Sequence, residues 1–83
     1  MPDLSILLSE LRDLATDVGI EVSFVPLDTD GGLIKLGKKR KVLISSVAPV
    51  THQVDVLVSA LKTVDLSDRF IVPRVREALD AAG

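Results

Sequence analysis

A chain of 83 residues, 47% of them hydrophobic, is long enough for one domain with one small core. It has no Cys and a single His, which excludes disulfide bonds, thiolate metal sites and a multi-histidine metal site within one chain. A net charge of −2 excludes binding of polyanions through the field of the whole molecule. No apolar run approaches the roughly 20 residues of a membrane helix, and no basic leader is visible. We therefore expect a single cytoplasmic domain over residues 1–83 without membrane contact.

The first part of the chain predicts a helix followed by a strand. Over residues 3–18 apolar side chains recur at three- and four-residue spacing, and Gly19 stands where a helix typically ends. Residues 20–25 alternate between apolar and polar side chains, which is typical of a half-buried strand, and Pro26 ends it. The residues that follow are rich in turn formers, so a loop is expected there.

Residues 32–47 predict two further strands, over 32–37 and 41–46, with a turn between them. The second of these strands is apolar on both faces. Such a strand prefers a central position in a sheet or a second covering layer. Short connections between successive strands favour antiparallel pairing in chain order.

Two helices are predicted in the last part of the chain. Pro49 suits the first turn of a helix over 50–65, and Pro73 opens a short final helix. The connecting residues are expected to tuck under the domain through Leu66, Phe70 and Ile71. The element order is α-β-β-β-α-α. We therefore predict an α+β fold in which a three-stranded antiparallel meander carries the helices on one face.

Helices on one face of the predicted sheet leave the opposite face uncovered. The apolar residues expected to form an interface there are Leu33, Val42, Ile44 and Val25. Exposed apolar surface of this kind commonly marks an interface, and a short chain without disulfides or metals gains stability by oligomerising. The leading interpretation is a non-enzymatic protein-interaction or structural module that self-associates. Its expected partner is a second copy, as a homodimer through the open sheet face or an edge strand, or another protein.

A basic cluster lies between the second and third predicted strands, where five of the ten basic residues fall within positions 35–41. A hairpin tip carrying Lys38, Lys39, Arg40 and Lys41 could neutralise phosphates, so weak nucleic-acid binding is an alternative function. Binders of single strands usually add aromatic stacking platforms, and this chain has no Trp or Tyr. A solvated tip whose lysines discourage aggregation is the simpler interpretation.

The only His of the chain, His52, begins the predicted helix that follows the third strand. Zincin metalloproteases carry H-E-x-x-H at such a place, but here Gln53 replaces the base and Val56 replaces the second ligand. His52 and Asp55 alone do not make a metal site, so we expect no cofactor, no metal and no catalytic residue within one chain. An enzyme or metal site completed across a subunit interface stays open as a second alternative.

The chain resembles a group of small uncharacterised bacterial proteins of similar length. The matching pieces are Gly31-Gly32-Leu33, Gly37-Lys38-Lys39, Pro49, Ser59-Ala60-Leu61, Val64-Asp65-Leu66 and Pro73-Arg74-Val75-Arg76-Glu77-Ala78-Leu79. The resemblance covers most of the chain and implies no activity. The strand-then-helix order is also similar to a reduced zincin core, from which Gln53 and Val56 depart.

Overall fold

The computed structural model describes residues 4–81 and confirms the α+β class and the predicted order of elements. Residue 3, the predicted start of the first helix, lies outside the described residues. The elements are α1 (Leu4–Asp17), β1 (Ile20–Val25), β2 (Gly31–Leu36), β3 (Lys39–Ser45), α2 (Val50–Leu61) and α3 (Pro73–Ala81).

The three strands form a mixed sheet in the order β1-β3-β2, so the predicted antiparallel meander is wrong. β3 is central, antiparallel to β2 and parallel to β1. A meander would have left β3, whose apolar composition suits a central strand, at an edge of the sheet. The central position supplies β3 with hydrogen-bonding partners on both sides, and it confirms one of the two placements that its composition predicts.

The loop of residues 26–30 crosses the end of β3 instead of turning back beside β1. Its carbonyl groups are satisfied there: the main-chain N–H of Ser45 donates to the Asp30 carbonyl at 2.9 Å, and the Ser45 hydroxyl donates to the Leu27 carbonyl at 3.1 Å. The N–H of Ser46 donates to the Val25 carbonyl at 2.9 Å. These bonds join the loop to the end of β3 and fix the strand order.

α1 and α2 cover one face of the sheet, whereas α3 packs on these two helices and not on the sheet. α1 lies against β1, and α2 lies against β3 and β2. The sheet contributes Ile20, Val42 and Ile44 to the core, where they meet residues such as Leu11 and Leu57. The prediction of helices on one face therefore holds for the two helices that contact the sheet.

The segment between α2 and α3 differs from expectation. α2 ends at Leu61, earlier than predicted, and Leu66 is buried in the core as expected. Phe70 is 83% exposed and is not tucked under the domain. The main-chain N–H of Ser67 donates to the Asp65 carboxylate at 2.9 Å, and this bond lowers the pKa of Asp65.

Across residues 4–81, no helix combines the length and the apolar content that crossing a bilayer requires.

Candidate functional site

The basic cluster lies on a hairpin whose two-residue loop is Gly37-Lys38, because Leu36 pairs with Lys39. Gly37 has a φ of +63°, as the first position of a type II′ turn requires. Side chains alternate along a strand, so Lys39 and Lys41 lie on the face of the sheet without helices and Arg40 lies on the other. The cluster is therefore divided between two faces and does not form one phosphate-binding surface.

The two Phe side chains of the chain do not support a nucleic-acid platform at this tip. Phe24 is 36% exposed and pairs with Ile44, whereas the tip end of β1 is Ile20, which pairs with Arg40. Phe70 lies beside α1 and α3. Bases bound at the tip would have no aromatic side chain to stack on, so the geometry does not favour the nucleic-acid alternative.

The predicted interface residues do not share one surface. Val42 and Ile44 are fully buried on the helix-covered face, since α2 packs there. Leu33 pairs with Val42, lies on the same face and is partly buried against the core. Of the predicted set, only Val25 lies on the open face, where it is partly buried.

The open face of the sheet is formed by a different set of side chains. Leu43 is partly buried, and beside it on β2 Ile34 and Leu36 are 37% and 62% exposed. Lys39 and Lys41 flank them. The alternation within β2 already placed Ile34 and Leu36 together, but only the position of the helices shows which side is open. The described structure therefore keeps an uncovered apolar face, to which only Val25 of the predicted residues contributes.

β2 is an edge strand whose two ends carry opposite charges. It pairs with β3 on one side only, so half of its main-chain groups face outwards. Asp28 and Asp30 precede it, and Lys38 and Lys39 follow it. A free edge of this kind is a template for pairing with another strand.

His52 lies beside a cleft of about 320 Å³ between the start of β2 and α2. Its imidazole Nδ1 donates to Oδ1 of Asp30 at 3.1 Å, and both side chains are about half exposed. Asp55 and Ser59 complete the polar lining of the cleft. Within residues 4–81, no group of three His, Asp or Glu side chains is arranged to hold a metal ion.

Gln53, which stands at the position of the zincin base, has a structural role. Its side chain is buried, and Nε2 donates to the carbonyls of Ser45 and Ala48 at 2.9 and 3.3 Å. These bonds hold the turn between β3 and α2. Val56, at the position of the second metal ligand, is a half-buried apolar side chain of the cleft.

Comparison with known proteins finds no matching family model, no matching curated protein and no matching solved structure. The resemblance to small bacterial proteins therefore stays a prediction. The function of this chain has to be inferred from its own geometry and charges.

Proposed function

We propose that the chain is a non-enzymatic protein-interaction module that forms a homodimer by antiparallel pairing of β2 with β2 of a second copy. The observation that carries this proposal is the free β2 edge with acidic residues at one end and basic residues at the other. Antiparallel pairing brings the acidic end of each copy beside the basic end of the other. A sequence without Cys is compatible with the cytoplasm, which we propose as its location.

One register of this pairing satisfies the charges and the side chains together. With Ile34 opposite Ile34 of the second copy, Gly32 lies opposite Leu36, and Lys38 comes beside Asp30. Gly32 has no side chain, so Leu36 of the second copy meets no opposing side chain there. Leu36, which is 62% exposed in the monomer, would be covered there. The pairing joins two sheets into one with six strands and a continuous open face.

The neighbouring registers are less favourable. If each strand slides by one residue so that the centre of the pairing moves from Ile34 to Lys35, Lys35 lies opposite Lys35 of the second copy, which is repulsive. The opposite shift places Gly31 opposite Lys35, where a φ of +118° takes the chain out of regular strand geometry. The register centred on Ile34 avoids both problems.

The same register gives a specific form to the alternative of a site completed across the interface. It places Lys35 of the second copy opposite Leu33, on the sheet face that carries the His52 cleft. The ammonium group could reach the acidic lining contributed by Asp55. This arrangement adds an attractive contact between copies, and we propose no catalytic step at it.

Charge exchange at the two ends of β2 tests the proposed dimer. We expect Lys38→Glu alone and Asp30→Lys alone to weaken dimerisation about 10- to 100-fold at low salt, because each homodimer then contains two repulsive contacts. An equimolar mixture of the two variants should regain a dimer, because both contacts in the heterodimer are attractive. Sedimentation analysis across a concentration series measures all three samples.

His52→Ala is the matched control, because Asp30→Lys also removes the Asp30 contact with His52. This control should dimerise like the unmodified chain. A monomer at high micromolar concentration of the unmodified chain would contradict the proposal. So would a mixture of the two charge variants that stays monomeric.

A further inference from the structure

A groove of about 260 Å³ lies between α1 and the segment that leads into α3, on the side of the molecule away from β2. Leu14, Ile71 and Val75 supply its apolar lining, and Phe70 and Val72 stand at its exposed margin. Phe70 is 83% exposed, the highest value among the large hydrophobic side chains of residues 4–81. A large aromatic side chain held in water beside an apolar groove is typical of an interaction surface.

Polar contacts on both sides of Phe70 hold this segment against α1. The Arg69 guanidinium donates to the main-chain carbonyl of Asp17 at 3.3 Å. Arg74 forms an ion pair with Glu10. Leu66, buried in the core, anchors the segment further back. These contacts join the segment to α1 and to the core on both sides of Phe70, which lies exposed between them.

The α1 wall of the groove is acidic and includes two carboxylates without partners. Glu10 is neutralised by Arg74, but the Asp13 and Asp17 side chains have no hydrogen-bond or ion-pair partner within residues 4–81. Both carboxylates are in positions that destabilise α1. Like charges four residues apart repel, and an acidic residue at the C-terminal end opposes the helix dipole. A cation bound between the two carboxylates would relieve both effects.

We propose that this groove docks a segment of another protein in which an apolar side chain is flanked by Lys or Arg. The apolar side chain packs between Phe70 and Leu14, and the basic side chain lies between Asp13 and Asp17. The charge on the α1 wall selects a basic partner, and the aromatic ring adds an attractive surface for a cation. The groove is separate from the β2 edge, because α1 packs on β1, which forms the opposite edge of the sheet.

A second copy of this chain is the competing occupant. Its residues 36–41 combine Leu36 with four basic residues and could enter the same groove. We favour a different protein, because a tip docked into a groove elsewhere on the next copy makes a heterologous contact, which closes only if its rotation generates a ring. The β2 edge uses the same tip in a closed pair.

The probe is a fluorescein-labelled synthetic peptide that repeats Leu-Lys-Lys-Leu, with two control peptides in which Glu replaces Lys or Ser replaces Leu. We expect the first peptide to bind the unmodified chain and to shift the amide NMR signals of residues 10–17 and 70–75. Phe70→Ala should weaken binding at least about tenfold, and the double variant Asp13→Lys with Asp17→Lys should abolish it. Both control peptides should bind at least about tenfold more weakly.

Matched control variants are Phe24→Ala, which removes the other aromatic side chain, and Asp80→Lys, which reverses an exposed charge on α3. Both should bind the peptide like the unmodified chain, and thermal unfolding should show that all variants fold. Equal binding by Phe70→Ala, or NMR shifts confined to other residues, would overturn the proposal. The same NMR signals should also be recorded without peptide at several protein concentrations. If the signals of residues 10–17 shift with concentration, and the double variant Lys38→Glu with Lys39→Glu loses these shifts, the occupant is a second copy. That result would overturn the proposal of a different protein.

Discussion

At Gly31 the main chain leaves the loop over β3 and enters β2 with a φ of +118°. This conformation is open to glycine and strained for other residues. Space is restricted as well, because a Cβ at this position would lie 2.0 Å from the carbonyl oxygen of Leu43. The crossing that places β3 in the centre of the sheet therefore requires a glycine at this position.

Gly31→Ala is expected to lower the free energy of unfolding by at least about 3 kcal/mol, through backbone strain and the clash with Leu43. Gly32→Ala is the matched control, since a Cβ there meets nothing within 4 Å and no positive φ is involved. Its effect should stay within about 0.5 kcal/mol. Urea unfolding monitored by circular dichroism measures both variants. Equal stabilities for the two would contradict the crossing geometry.

Gln53 shows what comparison with a motif leaves out. In the sequence it stands where a zincin carries its general base, and the comparison says only that an amide cannot act as that base. In the structure its buried amide donates to the Ser45 and Ala48 carbonyls and holds the turn before α2. An amide is suited to this because it donates two hydrogen bonds without a charge.

At the scale of elements, β3 determines how the molecule is layered. Its even-numbered residues face α2 and its odd-numbered residues face the open side, so Val42 is fully buried. β1 follows the same alternation in parallel register, which places Val25 opposite Ser45 on the open side. Two valines that the sequence assigns to one interface are thus on opposite faces of the sheet.

Val42→Ala should lower the free energy of unfolding by roughly 2–3 kcal/mol, because it removes two buried methyl groups and leaves a cavity. Val25→Ala makes the same chemical change on the open face, and its cost should stay below about 1 kcal/mol. Chemical unfolding at a concentration where the chain is monomeric compares the two. A larger loss for Val25→Ala would show that the faces are assigned incorrectly.

At the scale of the whole molecule, the two proposed surfaces lie at opposite sides of the fold. The β2 edge lies on the side of the molecule where α2 packs. The groove at Phe70 lies on the other side, between α1 and the segment that leads into α3. A dimer through β2 would therefore leave two grooves free, one on each copy. Such an assembly could hold two basic segments at once, which raises the apparent affinity for a partner that carries both.

Ile34→Lys tests the β2 edge independently of its terminal charges. In the proposed register Ile34 faces Ile34 of the second copy, so two lysines would meet at the centre of the interface. We expect a folded monomer at concentrations where the unmodified chain is dimeric, measured by sedimentation. Val47→Lys is the matched control, because Val47 is 73% exposed and lies in the turn after β3. A dimer that tolerates Ile34→Lys would place the interface elsewhere.

Several features of the fold follow from the sequence by itself. The helix periodicity before Gly19, the alternation over residues 20–25 and the prolines before the last two helices determine the six elements and their order. The apolar composition of β3 indicates either a central position or a second covering layer and does not decide between them. These features are predictable because they depend on local conformation and on the periodicity of side chains along one element.

Only the tertiary structure decided the strand order, the open face and the surfaces around it. The crossing over β3 depends on hydrogen bonds between Ser45 and the loop of residues 26–30, which no local pattern specifies. The side covered by α2 decides that Ile34 and Leu36 are open while Val42 is buried. The groove at Phe70 exists because Arg69 and Arg74 bind α1 across a long sequence separation. Contacts of this kind arise only when distant segments pack, so residues adjacent in the chain do not reveal them.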